Sequence, residues 1–255
     1  MRTHPENSPQ KERLDKLMVE RALAPTREKA QALIMAGKVL VDENRAVKAG
    51  SRIATDAAIR VTGLDHPYVS RGGLKLEGAL AYFDIDPSGW EAMDIGASTG
   101  GFTHCLLEKG VKRVYAVDVG YGQLAWQIRQ DPRVVPLERT NIRNLDSEAI
   151  EAPVDLVVVD VSFIGLEKVL EHGRRFLKPE GKFLALVKPQ FEAGRENIGR
   201  GGVVNDPELH AEILDRIRQA GEALDMAFLG STTSPITGKK SGNTEFFILW
   251  ENRTP

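Results

Sequence analysis

Two different spacings of apolar residues divide the chain. Between residues 12 and 23, Leu14, Leu17, Met18 and Ala22 fall at helical intervals, and Ala24-Pro25 interrupts the pattern. Thr26 can then cap a second helix over residues 27–36, which buries Ala30, Leu33 and Ile34 and stops at Gly37. Short strand-like runs follow at 38–41 and 58–61, with turn-rich sequence between them. The pattern predicts a compact ααβ unit over residues 12–62, too small to hold much core of its own. The polar stretch 1–11 ahead of it reads as a disordered tail. Residues 63–89 read as a linker and a lead-in helix at 74–82.

From Trp90 onward the spacing changes. Nearly all-apolar runs at 92–95, 114–118, 134–137, 156–160 and 183–187 alternate with helical segments at 102–108, 123–130 and 166–177. That alternation predicts a parallel sheet covered on both faces, an α/β domain over residues 90–255. A long helix at 207–224 then leads to two strands, 227–232 and 245–250, joined by a Gly/Ser/Lys-rich loop, and this closing pair can be antiparallel.

Composition narrows the class only slightly. Apolar residues make up 42% and charged residues 27%, with a net charge of −2. No apolar run is long enough for a membrane-spanning helix, and the start lacks the apolar core of a secretory signal. The single cysteine, Cys105, has no partner for an internal disulfide, which suits a reducing cytoplasm, and it is expected in the core rather than as a reactive thiol. Charge distribution says more. Residues 1–71 hold 13 Lys/Arg against 9 Asp/Glu, an excess of four positive charges, whereas the remainder is acidic. A basic first piece points towards a polyanion.

Candidate chemistry begins where the first strand of the α/β pattern turns into its helix. Asp94-Ile95-Gly96-Ala97-Ser98-Thr99-Gly100-Gly101-Phe102 lacks the middle glycine of a dinucleotide fingerprint. A DxGxxxGG loop at a helix N-terminus suits a methionine carboxylate and amino group better than a pyrophosphate. Asp118, 22 residues after Gly96, ends the next strand and is placed to accept ribose hydroxyls. Asn141 lies where an adenine edge would rest. Together these residues point to S-adenosylmethionine. Asp160 and Lys188 close the fourth and fifth strands, at the sheet edge where open α/β sheets bind ligands. A lysine ending an apolar strand is costly to bury without a carboxylate, so Lys188 beside Asp160 is more easily explained by function than by packing. Glu245 opens the last strand, and Lys75 lies early in the lead-in helix.

The set Lys75, Asp160, Lys188 and Glu245 is similar to the Lys-Asp-Lys-Glu tetrad of FtsJ-like RNA 2′-O-methyltransferases. Arg13-Leu14-Asp15-Lys16-Leu17, followed by Thr26-Arg27-x-x-Ala30-x-x-Leu33-Ile34-x-x-Gly37-Lys38-Val39, resembles an S4 RNA-binding domain. Joined with Ser70-Arg71-Gly72-Gly73-x-Lys75-Leu76, Asp160-Val161-Ser162-Phe163-Ile164 and Val187-Lys188-Pro189-Gln190-Phe191-Glu192, the chain resembles the TlyA (hemolysin A) family of ribosomal RNA cytidine 2′-O-methyltransferases over residues 12–250. The resemblance implies a Rossmann-like S-adenosylmethionine-dependent methyltransferase with a small N-terminal S4-like α+β domain. It implies Lys188 as proton acceptor or hydroxyl-polarising group, Lys75 as a second cation, and Asp160 and Glu245 as the groups that orient both lysines. It implies ribosomal RNA within ribosomal subunits as partner. The end of the chain five residues after Trp250 matches the shorter family form associated with the large subunit; the small subunit stays open. Arg13, Lys16, Arg27, Lys29 and Lys38 are expected on an RNA-facing surface, with Arg71 at the junction. Arg195 and Arg200 lie in a glycine-rich loop at 193–202 that reads equally as an RNA contact and as a flexible lid. No metal site is expected, and a monomer is the default. Three other readings stand against this one: a non-catalytic ribosome-assembly factor, a membrane-active hemolysin, and a nicotinamide oxidoreductase. Retention of the full tetrad, the lack of a basic amphipathic stretch, and the missing glycine speak against them in turn.

Overall fold

The computed structural model describes residues 10–46, 48–62, 66–194, 197–199, 201–238 and 242–253. It divides into two units, residues 1–67 with 122–126, and residues 68–121 with 127–255.

In the first unit, strand β1 (Lys11–Arg13) leads into helices α1 (Leu14–Glu20) and α2 (Arg27–Met35). Four short strands follow: β2 (Val39–Val41), β3 (Asn44–Arg45), β4 (Arg52–Ala54) and β5 (Ile59–Val61). β1 pairs antiparallel with β4, and β2 lies between β3 and β5. Leu14, Leu17, Met18, Ala30, Ile34 and Val39 make the core. Thr26 caps α2 by accepting from Lys29 N at 3.3 Å, as its hydroxyl allows. The first helix is shorter than the apolar spacing predicts. Residues 11–13 are drawn into a strand by pairing with β4, and α1 ends in a tight turn at Ala22, whose φ is 54°. Lys11, assigned by composition to the tail, is therefore part of a sheet; residues 1–9 of that tail lie outside the described residues.

The second unit opens with α3 (Gly72–Tyr82) and then alternates β6 (Glu91–Ile95), α4 (Gly101–Glu108), β7 (Arg113–Val117), α5 (Trp126–Arg129, whose first residue groups with the first unit), β8 (Val134–Leu137), β9 (Val154–Val159), α6 (Leu166–Arg174) and β10 (Leu177–Val187). It closes with α7 (Pro189–Glu192), α8 (Pro207–Glu222), β11 (Met226–Thr233) and β12 (Phe246–Asn252). Its seven strands run in the order β11-β12-β10-β9-β6-β7-β8. β10, β9, β6, β7 and β8 are parallel neighbours, whereas β12 is antiparallel to both β10 and β11. The chain runs outward from β6 through β7 to β8, then restarts at β9 on the other side. That reversal opens a crevice at the carboxyl ends of β6 and β9. The side chains of Val157, Phe183 and Trp250 are completely buried, and Phe183 meets Trp250 edge to face at 6.3 Å. Burying each such side chain contributes on the order of 2 kcal/mol, which holds the strands that carry the site in register.

One predicted helix is much reduced. The apolar spacing over 123–130 yields only the four-residue α5, and residues 122–126 group with the first unit instead.

Candidate active site

The loop from β6 to α4 is shaped by close backbone approach. Gly96 has φ 88°, and a Cβ there would lie 2.4 Å from the Asp160 carbonyl oxygen, so only glycine fits between the two strand ends. Gly96 N and Ala97 N both donate to Val117 O, at 2.9 and 3.1 Å, which ties the loop to β7. Ser98 follows at φ 48°, its N–H donating to Asp118 Oδ2 at 2.8 Å, and Gly120 N donates to Asp118 Oδ1 at 2.7 Å. Asp118 thus fixes the loop, while each carboxylate oxygen keeps a further lone pair for a ligand. Gly100, at φ 94°, opens α4 with no side chain capping the helix, followed by Gly101, Phe102 and the rest of the turn. Thr99 completes the loop. Asn141 accepts from Arg143 N at 3.1 Å and so caps a 3-10 turn at Ile142–Asn144.

Asp94 is completely buried. Its Oδ2 accepts from Thr103 N at 3.0 Å and from Thr103 Oγ1 at 2.7 Å, which pins the first turn of α4 to β6. Among the described residues its Oδ1 has no hydrogen-bond partner. Burial, then the neighbouring charges of Asp160 and Asp118, push the Asp94 carboxyl up to about 7 against the two bonds from Thr103. Three carboxylates converging beside a bare helix N-terminus match a ligand that carries cationic groups and a carboxylate.

Beyond β9 and β10 lie the two ion pairs of the candidate catalytic set. Lys188 Nζ is 2.5 Å from Asp160 Oδ1, and it donates to Ser162 Oγ at 2.9 Å. The contact with Asp160 is an ion pair outside hydrogen-bond geometry. Lys75 Nζ donates to Glu245 Oε2 at 2.5 Å, and the pair is shielded from water, with side chains 12% and 3% exposed. Val187 pairs with Phe246 across β10 and β12, so Lys188 and Glu245 flank the same step of the ladder. Ala185 pairs with Val159 across β10 and β9, which brings Asp160 to the same sheet edge. All four residues lie one step outside their strands or early in a helix. Next to them Phe163, at φ 65° and 90% exposed, leans on Phe191 with ring centroids 4.7 Å apart.

A match to the family model described as FtsJ-like methyltransferase covers residues 68–253, and one to the S4 domain covers residues 12–59. The chain belongs to the FtsJ-like methyltransferases. TlyA of Mycobacterium tuberculosis, named a 16S/23S rRNA (cytidine-2′-O)-methyltransferase, is 46% identical over 243 residues, which is 95% of this chain and 90% of that protein. YqxC of Bacillus subtilis, provisionally named an rRNA methyltransferase, is 50% identical over 239 residues, 93% of this chain and 85% of that one. A solved structure from Streptococcus thermophilus, provisionally named a hemolysin, is 42% identical with a TM-score of 0.71, covering 96% of this chain and 89% of that one.

On this FtsJ-like chain the S4 unit carries five of the six basic residues expected to face RNA. Arg13 and Arg27 both pair with Asp15, at 2.8 and 3.1 Å. Lys16 sits between Glu12 and Glu20, at 2.5 and 3.5 Å, which offsets its charge. Lys29 and Lys38 are exposed. Arg71 belongs to the second unit and donates to Thr237 O at 3.4 Å. Arg195 and Arg200 lie outside the described residues. Cys105 is buried, and burial pushes its thiol up to about 12, so it is a core residue. Among the described residues no helix is long and apolar enough to cross a membrane, and no group of three or more His, Cys, Asp or Glu is placed to hold a metal.

Sequence reasoning missed Ser162 and Thr103. Both stand inside segments already singled out, but a hydroxyl that supports a neighbour leaves no spacing signal. It also missed how closely α3 and α4 meet: a Cβ on Gly101 would fall 2.1 Å from Ser70 Oγ and 3.1 Å from Gly73 N.

Proposed function

We propose that this chain methylates the ribose 2′-hydroxyl of a cytidine in ribosomal RNA, using S-adenosylmethionine. The observation that carries the proposal is the Lys188–Asp160 pair, held at the sheet edge where Gly96 and Asp160 meet backbone to backbone. The loop Gly96–Phe102 and the N-terminus of α4 would receive the methionine end, Asp118 the ribose hydroxyls and Asn141 the adenine edge, with Asp94 and Asp160 balancing the positive charge. The bound cofactor supplies an electrophilic sulfonium methyl group.

The protein's own part is alignment and proton handling. Lys188 takes or shares the proton of the attacking hydroxyl. Ser162 fixes the direction of its amine head and Asp160 holds it by charge, leaving a donor direction for the ribose oxygen. Lys75, locked by Glu245, adds a second positive centre beside the oxygen as charge develops on it. The exposed face of Phe163 suits stacking of a base drawn out of its helix. The S4 unit would hold the RNA by charge, and work on ribosomal subunits implies the cytoplasm as its place. The named activity of the tuberculosis relative supports the substrate class.

The test is a map of ribose methylation by reverse transcription at low nucleotide concentration, on ribosomal RNA from cells with and without this protein. A stop at a cytidine present only with the protein is expected. Identical maps would overturn the proposal.

A further inference from the structure

The S4 surface contains a feature that a simple basic patch does not need, a fully buried acid. The Asp15 side chain is 0% exposed, yet its partners are the half-exposed ends of side chains. Arg13 grips it with two donors, Nε to Oδ1 at 3.0 Å and Nη2 to Oδ2 at 2.8 Å. Arg27 Nη2 donates to Oδ2 at 3.1 Å and Gln31 Nε2 donates to Oδ2 at 2.8 Å. The Arg13 guanidinium, with Gln31 and Arg27, holds the Asp15 carboxyl well below the usual carboxylate range against the cost of its burial.

The local structure builds this junction deliberately. Asp15 sits in the first turn of α1, directly after the β1 strand that carries Arg13, while Arg27 and Gln31 lie one turn apart on α2. Arg13 is also seated against the main chain at Gly50, where an added Cβ would come within 3.4 Å of its Nη1. Two flexible side chains from two elements are thus brought to one point. Each guanidinium has five N–H donors. Arg13 uses two on Asp15 and Arg27 uses one, and the side chains remain 46% and 50% exposed. Two cations on one anion leave a net charge of +1 at a fixed spot, with donors left over for an external oxyanion.

We infer that Asp15 is a positioning residue that locks Arg13 and Arg27 into a preorganised two-arginine clamp for a phosphate of the RNA backbone. The inference rests on the reading of the S4 unit as the RNA grip. A free arginine must lose side-chain entropy when it meets a phosphate, and one already held by Asp15 loses less.

The sign of one substitution separates this from a plain charge effect. Asp15→Asn removes a negative charge, so a diffuse electrostatic surface would bind RNA more tightly. The clamp predicts weaker binding. The measurement is the affinity of the full chain for ribosomal subunits purified from cells lacking the protein, across a salt series. Asp15→Asn is expected to raise Kd about three- to tenfold, with the slope of log K against log salt smaller by about one, as one phosphate contact is lost. Unchanged or tighter binding by a folded variant overturns the inference. Arg13→Lys and Arg27→Lys keep charge but cannot form the fork, and they serve if Asp15→Asn does not fold. Both are expected to weaken binding, and full affinity in both overturns the clamp. Arg13→Ala with Arg27→Ala separates the two levels. If that pair costs affinity while Asp15→Asn does not, the clamp alone fails; if that pair costs nothing, the RNA-grip reading itself falls.

Discussion

Asp94 is completely buried at the sheet edge, far from ordinary solution surroundings. Its carboxyl is raised to about 7, so the folded protein holds a proton that the unfolded chain gives up near pH 4. The native state binds more protons across that window, and stability therefore falls as pH rises from about 4 to about 7 and levels off above it. Thermal melts of Asp94→Asn should show a flatter pH dependence over the same window; parallel curves for the two proteins would contradict the assignment. A bound cation favours the ionised form, so S-adenosylmethionine affinity measured by calorimetry should weaken below about pH 7, by at most tenfold per unit. Ser162 offers a second residue-level test. Ser162→Ala should lower kcat about tenfold with little change in KM for S-adenosylmethionine, and Ser162→Thr should restore most of it, because the hydroxyl only orients Lys188. A rise in KM with kcat intact would assign Ser162 to cofactor binding instead. Asp94, Asp118, Asp160 and Lys188 were legible in the sequence because glycine spacing and strand ends mark their positions. Ser162 was not, since its role depends on a turn that places its oxygen under an ammonium 26 residues away.

Elements were legible where a single spacing controlled them. The strands β6 to β9 and helix α8 follow their apolar patterns. β10 instead begins at Leu177, six residues ahead of the apolar run at 183–187, because Leu177 pairs with Val154 of β9 and ends the preceding helix at Arg174 instead of 177. The N-terminal helix and α5 were overestimated because pairing partners far along the chain override local spacing: β4 claims residues 11–13, and the first unit claims residues 122–126. The junction of α3 with α4 is an element-scale contact that glycine makes possible. Gly101→Ala should separate the two helices, since Gly73 N is main chain and cannot swing aside. The cost is about 1–3 kcal/mol, a fall in Tm of several degrees, with S-adenosylmethionine affinity also reduced because α4 carries the loop. An unchanged melting curve would show that the contact is slack.

At the scale of the whole molecule the chain forms two units, and the proposed function assigns RNA gripping to the first and methyl transfer to the second. The basic excess was visible in residue counts, but counts could not show that Lys16 is offset by two acids or that Arg13 and Arg27 share one. Binding to ribosomal subunits should fall more than tenfold between 50 and 200 mM salt, on the order expected for several phosphate contacts, while S-adenosylmethionine affinity changes little. Equal salt sensitivity of both would argue against the division. The whole account depends on Lys188 acting with Asp160 on a ribose hydroxyl. The most direct measurement is single-turnover transfer of labelled methyl from S-adenosylmethionine to unmethylated ribosomal subunits, comparing the natural chain with Lys188→Ala. The account predicts a rate lower by about 10²–10⁴ with cofactor and subunit affinities retained; a rate equal to that of the natural chain would contradict it.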